Sequence, residues 1–311
     1  MLNRRHLRIK VLQFLYSWNN SSSRDLVKFE KEFLKSLTKI EELYYILYLY
    51  VFEIRDYANN HIEDSKHKKL PTKSDLSPNT KFVDNLFLKH LTEETSLMNS
   101  ISHFKLSFAD QQHMIKEIYF EITKLPDYQD YLNSDQITFE SDKKFISKLI
   151  SKHLVNMNLF QDYLNDKEIF WEDDLPFVTS MVVKTIKESS LDETKFLSLF
   201  KDDLEKKFAI DLFRFSIVNS ERFSDLISEK IKNWELDRVA QMDLILMQMA
   251  LTEMLEMPTI PLKVTINEYL ELAKYYSTQK SKNFVNGILD TLKNELLKEG
   301  LIKKSGRGLL E

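Results

Sequence analysis

Glycine is the residue whose distribution most limits the folds open to this 311-residue chain. The chain contains only four glycines, and they are Gly287, Gly300, Gly306 and Gly308. Phosphate-binding loops and dinucleotide-binding fingerprints need glycine for tight turns and for close approach of the backbone to the ligand. Such loops are therefore excluded from everything before Gly287. Because the chain also has only six prolines, we expect few turns and an all-α fold.

Apolar residues recur at helical spacing along the chain, and no strand-like alternation persists. At the N-terminus, Leu7, Val11 and Phe14 belong to one apolar stripe, which predicts a helix over 4–18. The pattern predicts further helices over 25–62, 80–98, 107–124, 141–164, 177–188 and 192–205, one from 208 to near Trp234, and three over 242–250, 264–276 and 280–297. Residues 66–78 form the clearest linker, because proline, serine and aspartate cluster there.

Cysteine and charge exclude several classes of protein. The chain has no cysteine, which excludes disulfides, thiolate metal sites and cysteine nucleophiles, and is typical of a cytoplasmic protein. The most apolar run, 43–54, is too short to cross a bilayer, so we expect no membrane association. The net charge is −4, so any nucleic-acid site has to be a local patch.

Catalytic motifs are missing from the sequence. All seven histidines lie before residue 154, without a pair at metal-ligand spacing, and neither HExxH nor GxSxG occurs. We therefore expect no catalytic residues, no metal and no cofactor, and we do not expect an enzyme.

The N-terminus is a candidate phosphate-binding patch. Arg4, Arg5, Arg8 and Lys10 precede the first acidic residue, Asp25, so the sequence predicts four uncompensated positive charges. Arginine suits phosphate because its planar fork donates two hydrogen bonds at once. The alternative is an ordinary basic terminus without a ligand.

A second candidate patch lies at the start of the last helix, where Lys280, Ser281 and Lys282 meet free backbone N–H groups. The alternative is a solvated helix start. Within that helix, Gly287 is costly relative to alanine, and we expect a close helix crossing over it. Asn286 is expected to bind either a neighbouring backbone or a ligand, with the role undecided.

Tyrosines at 44, 45, 48 and 50 allow two interpretations. They either stack on nucleic-acid bases or form a buried face, and we favour the buried face.

The chain resembles the NusB family of bacterial transcription antitermination factors in three stretches. These are RRHLRIKVLQFLYSW at 4–18, NWELDRVAQMDLILMQMALTEML at 233–255, and KVTINEYLELAK with SKNFVNG at 263–287. The resemblance implies a compact all-α RNA-binding fold of two helical subdomains. It also implies partnership with NusE, a small-subunit ribosomal protein, and with boxA-type single-stranded RNA in the RNA polymerase antitermination complex, especially in rRNA operons.

The resemblance also implies site residues. Those matching the RNA surface are Arg4, Arg5, Arg8, Lys280, Ser281, Lys282 and Phe284. Tyr16 and Asp243 fall where the family places residues of the NusE interface.

Two features depart from the family. Its members are usually about half as long, so we divide the chain into a first core helix (1–20), a helical insertion or enlarged N-terminal subdomain (21–205), a C-terminal NusB-like region (206–300) and a flexible tail (301–311). Lys280 stands where many members have an acidic residue, so we expect stronger, less selective and more salt-dependent RNA binding.

The sequence thus predicts a cytoplasmic RNA-binding factor that acts by recruitment. One alternative is a helical protein-interaction scaffold in which the inserted region does the work. Another is the RNA-targeting module of an rRNA methyltransferase, which is disfavoured because no glycine-rich cofactor region follows it.

Overall fold

A computed structural model describes residues 2–200, 202–231, 239–278 and 280–309. The secondary structure of these residues is helical, without strands, which confirms the all-α prediction. The α-helices are α1 Arg4–Asn20, α2 Leu26–Lys66, α3 Lys73–Leu76, α4 Leu86–Glu93, α5 Thr95–His103, α6 Gln112–Ile122, α7 Pro126–Asn133, α8 Phe139–Lys148, α9 Asn158–Lys167, α10 Trp171–Glu188, α11 Asp203–Val218, α12 Ser220–Ser228, α13 Gln241–Glu256, α14 Leu262–Tyr276 and α15 Ser281–Lys298. Trp234, where we expected a helix to end, lies outside the described residues. In the described part of the chain, no helix is long and apolar enough to cross a membrane.

The chain forms two compact units. The insertion unit comprises Ser36–Leu199, and the terminal unit combines Leu2–Lys35 with Phe200–Glu311. The boundary near residue 36 falls inside α2, so one continuous helix contributes residues to both units.

Tyrosines form much of the core of the insertion unit, as the buried-face interpretation predicted. Tyr44, Tyr48 and Tyr50 are at most 1% exposed. The Tyr50 ring stacks on Phe160 with centroids 4.0 Å apart, and the Tyr44 hydroxyl lies 2.6 Å from Thr185 Oγ1. Base stacking by these rings is therefore excluded in this structure.

Aromatic rings also fill the core of the terminal unit. Phe33 stacks on Phe213 with centroids 5.1 Å apart, and Phe14 meets both rings edge-on. The apolar stripe of α1 supplies Phe14, and Leu7 and Val11 on the same stripe are fully buried. The spacing that predicted α1 therefore also identified the face that it buries.

The segment before α11 was predicted as a helix over 192–205, and this prediction is wrong. No helix occupies residues 189–200. Side chains satisfy the backbone there, because Thr194 N donates to a Glu94 carboxylate oxygen and Leu197 N donates to the Tyr44 hydroxyl. Those partners are distant in sequence, so local periodicity does not reveal them.

Several further helix boundaries differ from the prediction, among them the start of α10 and the break between α11 and α12. α10 begins at Trp171 and includes Pro176, with the acidic residues 172–174 in its first turn, where carboxylates favour the helix dipole. The helix predicted from 208 to near Trp234 is interrupted at Asn219, between α11 and α12, where the Asn219 amide donates to Phe215 O.

The residues after α15 return to the end of α13. Ile302 is 9% exposed, and Lys304 Nζ donates to the carbonyls of Glu253 and Met257 at 2.9 and 3.1 Å. A lysine suits the unpaired carbonyls of a helix C-terminus. A Cβ on Gly308 would lie 1.9 Å from Pro258 O, so this close approach requires glycine.

The aromatic core of the terminal unit gives a stability prediction. Phe213→Ala removes a fully buried ring and should lower the free energy of unfolding by about 3–5 kcal/mol. Val218→Ala on the same helix is the control, because Val218 is 66% exposed and should change it by less than about 0.5 kcal/mol. Urea unfolding measures both, and similar effects of the two substitutions would contradict this packing.

Candidate nucleic-acid interface

A buried ion pair joins α1 to α13. Arg8 is 2% exposed and Glu253 is fully buried. Arg8 Nε and Nη2 donate to the two Glu253 carboxylate oxygens at 2.6 and 2.9 Å. Tyr269 OH and Thr265 Oγ1, both on α14, donate to the same carboxylate at 2.8 and 3.2 Å. The glutamate therefore ties three helices together through four hydrogen bonds.

The environment of this pair keeps the arginine charged. Burial lowers the pKa of Arg8, but the attraction of Glu253 outweighs that effect and the pKa is raised. Burial also raises the pKa of Tyr269 well above its usual value, and Glu253 raises it further, so the phenol stays protonated and keeps donating.

Arg8 was expected to contact RNA, and its placement gives a different role. The Glu253 carboxylate occupies the guanidinium, and the side chain has almost no exposed surface. A phosphate therefore meets no open donor at Arg8. We assign Arg8 to positioning the N-terminal end of α1.

Arg4 and Arg5 remain partly exposed, at 38% and 47% of their side chains. Arg5 donates to both Glu268 oxygens at 2.9 and 2.7 Å, and Arg4 Nε lies 3.2 Å from a Glu205 oxygen. The Glu268 hydrogen bond raises the pKa of Arg5, and the same contact lowers the pKa of Glu268. Exposed pairs of this kind contribute only about 0–1 kcal/mol, so a phosphate can replace the carboxylate at little cost.

The prediction of four uncompensated charges at this terminus is therefore wrong. Each of the three arginines has a glutamate partner more than 200 residues further along the chain. The fourth cation, Lys10, is 1% exposed. Counting charges within the local sequence misses partners that folding brings from the other end of the chain.

The second patch begins at an exposed lysine, Lys280. Lys282 is 43% exposed and lies 3.5 Å from a Glu271 oxygen. Ser281 was also expected to contact RNA, but it is 3% exposed, and its hydroxyl lies 2.9 Å from Ser277 Oγ and 2.8 Å from Thr278 Oγ1. Ser281 thus fixes the turn that presents the two lysines. Phe284, in the first turns of α15, is half-buried.

The two patches meet on one face of α14. Glu268 binds Arg5 from α1, and Glu271 lies beside Lys282 from α15. Residues three apart share one side of a helix, so the two glutamates place both cations on that side. The folded chain thus brings the N-terminal arginines to the start of α15, and we call this surface the α14 face: Arg4, Arg5, Glu268, Glu271, Lys280 and Lys282.

Sequence reasoning missed one aromatic side chain near this surface. Tyr275 is 71% exposed and follows Glu271 by four residues, which places it on the same side of α14. Lys274 Nζ lies 5.4 Å from the centroid of its ring. The signal was present in the sequence, because Tyr275 lies outside the buried stripe of α14 that contains Tyr269 and Leu272.

Gly287 contradicts the expectation that a neighbouring helix crosses over it. It is exposed, and an added Cβ would meet no heavy atom of the described residues within 4 Å. Asn286 beside it is also exposed, whereas Val285 and Ile288 are buried. Packing within the described chain therefore does not explain a glycine that costs the helix about 1 kcal/mol.

Tyr16 lies near the end of α1 and Asp243 near the start of α13. Tyr16 is 44% exposed, and Asn20 links the end of α1 to Gln241 at the start of α13. Asp243 is 5% exposed, and its Oδ1 has no hydrogen-bond partner among the described residues. Eleven residues of α1 separate Tyr16 from Arg5, a distance of roughly 16 Å along the axis.

The α14 face contains no metal site in the part of the chain that the structure describes, because no group of three His, Cys, Asp or Glu side chains is arranged to hold an ion. Burial lowers the pKa of His6 to about 4, with Arg5 as a further cause. His6 is therefore neutral at pH 7 and adds no charge beside the arginines.

The fold and this face define an all-α protein with cationic side chains held beside carboxylates on one helix. The NusB family model matches residues 180–294. A NusB transcription antitermination protein of Salinibacter ruber is 37% identical over 123 residues, which cover 40% of this chain and 77% of that protein. The chain belongs to the NusB family.

Two other relatives agree. The NusB transcription antitermination protein of Chloroherpeton thalassium is 48% identical over 104 residues, covering 32% of this chain and about half (49%) of that protein. That of Bacillus pumilus is 32% identical over 109 residues, covering 35% of this chain and 83% of that protein. All three relatives are named as transcription antitermination proteins, which supports the prediction that the chain is not an enzyme. No solved structure matches the chain.

The buried pair gives a prediction for stability. Glu253→Ala leaves the Arg8 charge buried without its partner, so we expect the free energy of unfolding to fall by about 3–5 kcal/mol. Glu205→Ala, which breaks the Arg4 pair and does not touch Arg8, is the matched control and should cost less than about 1 kcal/mol. Urea unfolding compares them, and equal losses would show that the buried pair does not hold α1 in place.

Substitution of Gly287 is expected to raise the free energy of unfolding, not to lower it. Gly287→Ala should raise the free energy of unfolding by up to about 1 kcal/mol, because alanine favours the helix and open space surrounds the site. Gly300→Ala should lower it by about 1–2 kcal/mol, because Gly300 has a φ of +68°. Thermal unfolding measures both changes. If the Gly287→Ala variant is less stable than the parent, the open space described around Gly287 is contradicted.

Proposed function

We propose that this chain is a non-enzymatic transcription antitermination factor that binds boxA-type single-stranded RNA through the α14 face. The observation that carries the proposal is the convergence of Arg5 and Lys282 on neighbouring glutamates of α14, beside the exposed Lys280. The relatives are named transcription antitermination proteins, which supports the same function. Such a factor acts in the bacterial cytoplasm.

The mechanism is replacement of weak carboxylate contacts by phosphates. Arg4 and Arg5, which are partly exposed, exchange their glutamate partners for phosphate oxygens, and Lys280 and Lys282 add point charges. Tyr275 and Phe284 offer rings on which unpaired bases stack. The glutamates that remain repel phosphates placed in any other register, so they favour one path of the RNA across the face.

Gly287 and Asn286 extend this face along α15. Both are exposed, and the missing side chain of Gly287 leaves room for an RNA or partner backbone to approach the helix closely. Asn286 then has an amide free to read a base edge. A ligand that approaches there accounts for a glycine that packing does not explain.

NusE is the proposed protein partner, and Tyr16 with Asp243 is its proposed docking point. Tyr16 presents an exposed ring, and tyrosine is enriched where proteins bind each other. Asp243 is 5% exposed and its Oδ1 is buried, so a NusE donor would reach that oxygen only if the side chain became exposed on binding. Because this point lies away from Arg5 on α1, one chain can hold RNA and NusE together and deliver both to RNA polymerase in rRNA operons.

The second candidate is a protein-interaction scaffold. The insertion unit, Ser36–Leu199, is a compact body with its own core, and the family match begins only at residue 180. In that case RNA binding would be absent or indifferent to NusE.

The test measures affinity for a boxA-type RNA and a scrambled RNA, with and without NusE, across a salt series. Arg5→Gln, Lys280→Gln and Lys282→Gln together should weaken binding to both RNAs. They should also reduce the slope of log affinity against log salt by about 2, since each lost contact to a single strand removes about 0.7.

Lys28→Gln, Lys31→Gln and Lys35→Gln on α2 form the matched control, because these lysines are exposed and the charge change is the same. If the two triple variants bind RNA equally well, the α14 face is not the RNA site. Binding that NusE does not strengthen would favour the scaffold instead.

A further inference from the structure

The insertion unit contains an open groove whose charge is opposite to that of the whole chain. It lies between α8 and the end of α10 and encloses about 670 Å³. Four lysines line it against one acidic residue, Glu140, so its formal charge is +3 in a chain of net charge −4. The lysines are Lys143, Lys144, Lys148 and Lys187.

Two of these lysines, Lys143 and Lys148, are held in place by contacts with other groups of the chain. Lys143 Nζ donates to Glu140 at 2.7 Å and to the carbonyls of Ser189 and Lys187 at 2.9 and 3.4 Å. The carbonyls at the end of α10 would otherwise repel an anion, and the lysine neutralises them. Lys148 Nζ lies 2.8 Å from Asp127.

The remaining two lysines are available to a ligand. Lys144 and Lys187 are exposed, and neither forms an ion pair among the described residues. Beside the groove, the Asp127 carboxylate contacts Lys148, Lys152 and His153, and these contacts lower the pKa of Asp127. With Lys152 and Asp127 included, five lysines face two carboxylates, so the formal excess stays at +3.

We propose that this groove is a second RNA site, which binds the phosphate backbone of single-stranded RNA without reading its sequence. Its volume suits a group larger than a phosphate ion. Among the described residues, no aromatic side chain and no arginine lines it, so it offers neither a stacking platform nor a bidentate fork. Spaced lysines with serine hydroxyls fit a chain of phosphates. The inference rests on the proposed RNA-binding function, which brings this polyanion to the protein.

The test uses the full chain with Lys144→Gln and Lys187→Gln and a mixed-sequence single-stranded RNA that contains no boxA-type element. Fluorescence anisotropy at about 0.1 M salt should show roughly tenfold weaker binding, and the salt slope should fall by about 1.4 for two lost contacts. Lys116→Gln with Lys124→Gln is the matched control, because both lysines are exposed in the same unit outside the groove. Binding by the groove variant equal to that of the control overturns the proposal.

Two further measurements distinguish this proposal from the proposed RNA binding at the α14 face. The Arg5, Lys280 and Lys282 variant reports on the α14 face alone. If it keeps boxA-type RNA binding while the groove variant loses mixed-sequence binding, the α14 face is wrong and the groove stands. Poly-L-glutamate serves as a competitor of equal charge. If it binds more tightly than RNA and loses that affinity in the groove variant, the groove holds an acidic protein segment and the RNA proposal is overturned.

Discussion

The buried contact between Arg8 and Glu253 is the interaction on which the α14 face depends. A charge inside a protein is costly unless it is paired and hydrogen-bonded, and this carboxylate receives two bonds from Arg8 and one each from Tyr269 and Thr265. The geometry that satisfies the charge also fixes α1 against α13 and α14. Arg5, one turn from Arg8 on α1, is then held beside Glu268.

This arrangement separates the residues that position the proposed RNA surface from those proposed to bind RNA. Arg8 and Ser281 are buried, and they fix α1 and the turn before α15. Arg5, Lys280 and Lys282 are at least partly exposed and carry the charge that the proposed phosphate contacts need. Ion pairs are weak where water reaches them. The carboxylates therefore hold Arg5 and Lys282 in place in the free protein, and phosphates can still replace those carboxylates.

Much of the fold was predictable from local pattern, and the site was predictable only in part. Helical spacing identified α1 and its buried face, because period and burial are local properties. The glutamate partners of the arginines were not predictable, since they come from the other end of the chain. For the same reason the pattern missed the irregular segment 189–200, whose backbone is satisfied by Tyr44 and Glu94. Tyr275 was missed although its position outside the apolar stripe marked it.

The central claim is that the N-terminal end of α1 and the start of α15 form one RNA surface. Photo-crosslinking of a thiouridine-substituted boxA-type RNA to the intact chain, with crosslinked peptides mapped by mass spectrometry, tests it most directly. We predict crosslinks both next to Arg5 and in the segment from Tyr275 to Phe284. Crosslinks confined to one of these segments, or absent from both, would contradict the account.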